Sequence, residues 1–246
     1  MTQGNALQVP QHSLRVVSYN IHSCRGSDGR LRPDRVISVL RKTGADVAAL
    51  QELGSLSAAR NIAERMQMDL FFVAAQKRGE LSYGNALLTR LSGATMHHGP
   101  LPQLHPRLEP RAAQWIRVSF RSECHVDIIN THLGLDPKER LIQTEELLGP
   151  NWLSRVDIGP HIVLCGDLNA RPGSAPYARL CARLKDPQQS LARRFPTFPA
   201  LFPVIRIDHV LTSPHLRVNR VNVPSDIIAR LASDHRPLVV DISVGD

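Results

Sequence analysis

The sequence predicts a layered α/β sandwich, α+β in the order of its elements, and three observations point there. Short apolar runs rich in Val, Ile and Leu recur along the whole chain and read as strands. Helical patterns fall between some of them. Between Asn85 and Asn130, however, strands and loops follow one another without a convincing helix, so strict βαβ alternation fails and a purely doubly wound sheet is disfavoured. At 246 residues the chain can bury one substantial core, since such folds commonly use about 200–250 residues in one domain.

Taken in order, residues 1–13 are polar and read as a short lead-in, without the basic start and apolar run of a secretory signal. A single domain is expected over residues 14–246. It opens with a strand at Leu14–Ser18 and a helix at Pro33–Lys42, whose proline suits a helix start. Next come a strand at Asp46–Leu50, a helix at Ser57–Met68, and strands at Leu70–Ala74, Asn85–Leu88, Gln114–Phe120 and Val126–Asn130. A helix at Pro137–Leu148, a strand at His161–Cys165 and a helix at Ser174–Leu184 follow. Strands at His209–Leu211, Leu216–Val221 and Leu238–Ile242 close the chain. The Pro- and Gly-rich stretches Gly99–Pro110 and Phe195–Pro203 read as surface loops. No stretch approaches the ~20 consecutive apolar residues that span a bilayer.

The formal charge of +8 favours an anionic partner, nucleic acid or a phosphorylated lipid surface. No basic run locates a face for it. Cys24, Cys124, Cys165 and Cys181 are widely spaced with no CxxC pair, which suggests neither a zinc knuckle nor a dense disulfide scaffold and fits a reducing cytoplasm. Cys165, in an apolar run, is expected to be a small buried hydrophobe.

Chemistry-bearing side chains gather at the margins of the apolar runs. Asn20 follows the first strand, Glu52 the second, His132 the strand ending Ile129-Asn130-Thr131, and Asp167 and Asn169 the run Val163-Leu-Cys-Gly166. Asp208 and the pair Asp234-His235 instead precede strands; if those strands run antiparallel to the others, all these groups share one rim. Asp167 and Asn169, two apart, would project the same way on extended backbone, whereas Asp234 and His235 should diverge. Carboxylate and amide oxygens suit Mg²⁺ or Mn²⁺; zinc would normally take several His or Cys ligands at short spacing.

The segments Ser18-Tyr-Asn-Ile-His22, Gln51-Glu52, Asn130-Thr-His-Leu133, Gly166-Asp-Leu-Asn169, Arg206-Ile-Asp-His-Val210 and Ser233-Asp-His-Arg-Pro237 resemble, in order, the motifs of the endonuclease/exonuclease/phosphatase superfamily, over Arg15 to Ser243. The resemblance implies a four-layered αββα sandwich, two mixed β-sheets packed face to face with helices outside, and metal-dependent hydrolysis of a phosphate ester by in-line attack of water. It implies Glu52 as a metal ligand, helped by Asn20 and Asp234. Asp167 would activate or orient the water, Asn169 position it, and His132 hydrogen-bond a phosphate oxygen. His235, oriented by Asp208, would either take a proton or act as a cation. Arg111 in Glu109-Pro-Arg-Ala112 and Asn85 in Tyr83-Gly-Asn-Ala86 resemble family motifs near the cleft and are candidates for substrate binding.

Other residues read as structural. Arg140 and Gln143 should anchor their helix, Trp115 and Trp152 should pack in the core, and His97, His98 and His105 should lie on the surface. His22, two residues after Asn20, is left outside the site. A nuclease or other phosphodiesterase ranks first among functions. A phospholipid phosphodiesterase, for which Phe195–Phe202 could supply an apolar wedge, or an inositol-phosphate phosphatase ranks next, and a non-catalytic nucleic-acid binder last.

Overall fold

The computed structural model describes residues 13–78, 81–121 and 124–244, so the expected lead-in lies outside the described residues apart from Ser13. Two mixed sheets form the centre. The six-stranded sheet contains β1 (Ser13–Asn20), β2 (Val47–Leu53), β3 (Asp69–Arg78), β4 (Leu81–Thr89), β10 (Leu216–Asn222) and β11 (Leu238–Val244), in the order β10-β11-β1-β2-β4-β3. The five-stranded sheet contains β5 (Gly93–Pro100), β6 (Ala112–Arg121), β7 (Cys124–His132), β8 (Ile162–Asp167) and β9 (Asp208–Thr212), ordered β5-β6-β7-β8-β9. Each sheet holds one parallel pair, β1 with β2 and β7 with β8; the other pairings are antiparallel.

Helices α1 (Pro33–Thr43) and α2 (Leu56–Met66) cover the outer face of the first sheet, where Ile37, Leu40 and Ile62 pack on Val17, Tyr19 and Leu50. Helices α3 (Pro137–Leu148) and α4 (Ala175–Cys181) cover the second, where Leu147 and Leu180 pack with Trp115, Trp152 and Leu164. Between the sheets a third core joins Leu14, Val16, Val47, Ala49 and Leu87 to Ile116, Ile128, Val163 and Val210, and Cys165 is buried among them. The expected αββα layering is thus present, and both tryptophans lie in the core. Among the described residues no helix is long and apolar enough to cross a membrane.

Strand side chains alternate between faces, and that period positions the site. The inter-sheet row Leu14, Val16, Ser18 on β1 ends at Asn20, and Val126, Ile128, Asn130 on β7 ends at His132. Val163 and Cys165 on β8 lead to Asp167, and Val210 on β9 leads back to Asp208. Because β9 runs antiparallel to β8 and β11 to β1, the chain enters those late strands at the end where the others leave. All these rows therefore turn polar at one end of the sandwich. Beneath that end, Gln51 Nε2 donates to Asn130 Oδ1 at 2.8 Å, tying one sheet to the other. At Gly166 (φ 143°) a Cβ would lie 1.8 Å from the Thr131 oxygen, so only glycine lets β8 run this close to β7 just before Asp167.

Several boundaries differ from the sequence reading. β5 was not anticipated: its eight residues are mostly half-exposed or exposed on a sheet edge, so no apolar alternation marks it, and the loop expected from Gly99 begins inside its end. α2 stops at Met66 because Gln67 takes a left-handed cap (φ 54°). α4 closes at Cys181, short of Leu184. A five-residue helix, α5 (Ile227–Leu231), was also unexpected; it starts at Asp226, whose carboxylate accepts from the Ile228 and Ala229 amides.

Candidate active site

The strand ends bring Asn20, Glu52, His132, Asp167, Asn169, Asp208 and His235 together in one cleft between the sheets. Asn20, on the first sheet, donates from Nδ2 to Glu52 Oε1 at 2.8 Å and to Asp167 Oδ2, on the second, at 3.0 Å. Its side-chain oxygen Oδ1 accepts from the His22 backbone amide at 3.1 Å. Glu52 sits in a β-bulge between Leu50 and Leu53 with φ 58°, a left-handed conformation for a non-glycine residue. Such a backbone costs roughly 1–3 kcal/mol and persists where the surroundings enforce it, often at functional sites. The bulge turns the carboxylate into the cleft, where the side chain is 22% exposed.

His235 Nδ1 donates to Asp208 Oδ2 at 2.9 Å, and its Nε2 lies 3.7 Å from Asp167 Oδ2. Burial opposes a charged ring here, but the charge and hydrogen bond of Asp208, with Asp167 and Asp234 behind them, push the His235 pKa up to about 10. Thr197 Oγ1 donates to the same Asp208 oxygen, and the Phe198 ring tilts against the imidazole at 4.8 Å. Asp167 is raised to about 7, first by burial and then by the Asp208 charge; His235, the Asn169 amide and Asn20 pull the other way. Asp208 and His235 therefore form a charged pair beside a carboxyl poised near neutrality.

His132 is its opposite. Burial, the Arg111 charge and His235 hold its pKa well below the ordinary imidazole value. Its contacts of 3.5 Å to Asp167 and 3.9 Å to Glu52 are accordingly contacts of a neutral ring rather than ion pairs. Arg111 Nη1 lies 3.2 Å from His132 Nδ1, and guanidinium can only donate. Nδ1 therefore accepts, and Nε2 carries the proton on the side facing Asp167. With Nε2 already protonated, the Asn169 amide 3.1 Å away is a packing contact there; Nδ2 donates instead to the Leu133 oxygen at 2.9 Å.

Not every placement follows the sequence geometry. Asn169 is left-handed (φ 47°), not extended, so it meets Asp167 through a turn in which its own N–H donates to Asp167 Oδ1 at 2.9 Å. Asp234 and His235 do diverge: the imidazole turns in to Asp208, while Asp234, 38% exposed, faces His22 Nδ1 at 3.5 Å. Arg111 and Asn85 are each 3% exposed. Arg111 is engaged by His132 and by Glu109 Oε2, and Asn85 donates to the Ala112 oxygen across the sandwich. Gln143 accepts from the Gly134 amide and Arg140 donates to the Gly134 and Leu135 oxygens, so both brace the turn that follows His132.

Three participants escaped the sequence reading. Thr197, given no role from the sequence, reaches Asp208 through its hydroxyl. Ser233 Oγ donates to the Asn20 oxygen at 2.8 Å, clamping the late motif to the early one. His22 was set aside, yet it opens three consecutive positive-φ residues, His22, Ser23 and Cys24, held by Ser23 Oγ donating to the Glu52 oxygen; its place two residues after Asn20 was the available signal.

The donor set fits a hard divalent cation. Glu52 and Asp167 bring carboxylate oxygens to either side of the Asn20 side chain, and oxygen donors of this kind suit Mg²⁺ or Mn²⁺. Asp167, Asp208 and His235 also present one ligand atom each within 4.8 Å of one another. His235 is held protonated on Asp208, however, and an imidazolium is not a ligand.

Residues 17–235 match the profile of the Endonuclease/Exonuclease/phosphatase family, and the chain belongs to that family. Its members hydrolyse phosphoesters, and this chain is an enzyme of that class. The fold is similar to that of an endonuclease/exonuclease/phosphatase from Bacteroides vulgatus, with a TM-score of 0.80 at 17% identity, covering 95% of this chain and 99% of that one. It is similar also to a mannosyl-6-phosphatase from Bacteroides thetaiotaomicron, with a TM-score of 0.75 at 21% identity over 93% and 99% of the two chains. The catalytic domain of human nocturnin, solved with a bound sulfate anion, gives 0.75 at 19% identity over 95% and 94%. No curated protein matches the sequence.

Proposed function

We propose that the protein is a divalent-metal-dependent phosphodiesterase that hydrolyses its substrate by in-line attack of water. The observation that carries this reading is the convergence of Glu52, Asn20 and Asp167 with a charged Asp208–His235 pair and a neutral His132 in one cleft. Glu52, with Asn20 and Asp234, would hold the ion, which when bound neutralises phosphate charge and acidifies water. The chain's own groups do the rest. Asp167, raised to about 7, accepts the proton of the attacking water, and Asn169 holds that carboxylate in place through its amide. His132 donates from Nε2 to a non-bridging oxygen, in the tautomer that Arg111 enforces. His235 serves as a cation, since a ring titrating near 10 is a poor base at neutral pH. The bond from phosphorus to the leaving oxygen breaks as the bond to water forms, and the charge spread over the phosphoryl oxygens meets donors already oriented.

Asn85 and Arg111, proposed from the sequence as substrate contacts, act in this reading through Ala112 and His132. The charge of +8 supports a polyanionic substrate, nucleic acid foremost, or an anionic surface. The likeness to a mannosyl-6-phosphatase keeps a phosphomonoester as the competing substrate class. Four free cysteines, two of them buried, support a reducing cytoplasm. The test is release of nitrophenol from bis-p-nitrophenyl phosphate by wild type, Glu52→Gln and His235→Ala, with Mg²⁺, Mn²⁺ or EDTA. Turnover should need metal and both side chains; equal rates in EDTA would sink the metal, and tight DNA binding without turnover would leave a binder.

A further inference from the structure

Residues Phe198 to Ile205 form a tight hairpin beside the catalytic cleft. Its stem closes through Thr197 and Phe198 amides donating to the Ile205 oxygen, and Val204 and Ile205 amides donating to the Phe198 oxygen. The stem is fastened to the site itself: the Ala200 amide donates to the Asp234 oxygen, and Arg236 donates to the Ala200 and Leu201 oxygens. Phe198 touches His235. At the tip, Leu201, Phe202 and Val204 are 42%, 78% and 77% exposed. Other large apolar side chains are exposed singly among the described residues, as is normal on any surface. Here three stand together within four residues, on a loop that is bonded to the Asp234–Arg236 segment.

The tip is built for a medium poorer in water. The bonds of the stem satisfy the amides of Thr197, Phe198, Ala200, Val204 and Ile205, and Pro199 and Pro203 have no amide hydrogen to satisfy, so entering an apolar environment desolvates chiefly the amides of Leu201 and Phe202. Arginines flank it. From residue 191 to 207 the chain carries Arg193 and Arg194, with Arg206 paired to Asp186, and no Asp or Glu. The loop from β1 to α1 presents exposed Arg25, Arg30 and Arg32 with Leu31, its one acid, Asp28, being paired with Arg35 at 2.8 Å. That loop joins the same segment from the other side: Ser27 Oγ donates to the Arg230 oxygen and Arg35 to the Leu231 oxygen, two to three residues before Ser233.

We infer that this apolar hairpin, with the arginine-bearing loop across the Asp234–Arg236 segment, is a docking surface for an anionic phospholipid bilayer, so that the cleft works on a phosphodiester presented at a membrane. The inference rests on the phosphodiesterase reading for its substrate, and on the hairpin and the arginine-bearing loop for its surface. Aliphatic side chains without hydrogen-bonding groups partition among acyl chains, and arginines at their margin meet anionic headgroups. A nucleic acid would need an array of aromatic faces, and the tip offers one.

The experiment separates the two readings. Co-sedimentation of the full chain in EDTA is measured with vesicles of phosphatidylcholine alone and of equal parts phosphatidylcholine and phosphatidylglycerol. Turnover of soluble bis-p-nitrophenyl phosphate is measured apart, with metal. Wild type should prefer the anionic vesicles. Phe202→Ser with Val204→Ser should lower binding on the order of 10-fold or more while soluble turnover stays unchanged; Arg30→Glu with Arg32→Glu should lower binding to anionic vesicles only. Wild type that binds neither vesicle, or serine variants that bind as wild type does, would overturn the docking surface whatever the turnover. A serine pair that instead loses a single-stranded oligonucleotide, or dissolves a dimer of wild type, would reassign the tip to base stacking or to self-association. Absent soluble turnover would count against the hydrolase reading alone.

Discussion

The two ends of the inter-sheet layer are made from the same strands yet do opposite things. At one end Leu14, Val16, Val47, Val163 and Ile242 interdigitate with no polar partner needed. At the other the same rows finish in Asn20, Gln51, Asn130, His132, Asp167 and Asp208, each buried and each held by another polar group. The apolar end gains from every methylene it buries. The polar end gains little from burial, because desolvation opposes each charge there, and what it acquires is charge held in fixed positions. Stability and chemistry are thus separated along a single strand, about 3.3 Å per residue.

If that separation is real, substitutions at the two ends must fail differently. Ile128→Ala, in the apolar end and fully buried, should cost about 2–5 kcal/mol in denaturant unfolding, with kcat per folded molecule near wild type. His235→Ala should cut kcat by ~10²-fold or more, a loss out of proportion to the stability that goes with the Asp208–His235 pair. An Ile128 variant that loses turnover while folded, or a His235 variant that unfolds, would break the comparison.

Gln51 sharpens it, since it sits between the two ends and joins the sheets through Asn130. Gln51→Ala removes that bond and leaves buried Asn130 Oδ1 without its partner, a loss of about 1–3 kcal/mol. Both readouts should move, stability through the bond and kcat through the spacing of Asn20 and Asp167 on opposite sheets. A change in stability alone would place the boundary between the ends above Gln51.

The sequence made the polar end legible for a simple reason. An apolar strand that finishes in Asn, His or Asp is conspicuous by position, whereas the antiparallel return of the late strands was only a condition, which the pairing of β9 with β8 and of β11 with β1 meets. What it left obscure depends on contacts rather than period. The left-handed bulge at Glu52 and the turn at Asn169 cannot be read from alternation, and Thr197 meets Asp208 from eleven residues upstream with nothing between them to mark it. Arg111 was a candidate substrate contact because Glu109-Pro-Arg-Ala112 resembles a family motif near the cleft; only packing reveals that it is 3% exposed and engaged by His132. Edge strand β5 and the five residues of α5 are too exposed or too short to show a period.

The smallest effect tests the electrostatics of the polar end. A raised pKa in the folded state means that folding favours the protonated form, so the group's contribution is complete below its unfolded pKa and lost as pH rises through the folded one. For Asp167 that window runs from 3.8 to about 7, and for His235 from 6.5 to about 10. Between pH 7 and 10 the window therefore belongs chiefly to His235. In EDTA, the stability advantage of wild type over His235→Asn should shrink across that range, by no more than about 1.4 kcal/mol per pH unit, the limit for one proton. The same variant should show no such loss between pH 5 and 6, where the ring is charged folded or unfolded. A difference that stays flat from pH 7 to 10 would return His235 to an ordinary imidazole, able to take the proton of water itself, and Asp167 would then orient rather than accept.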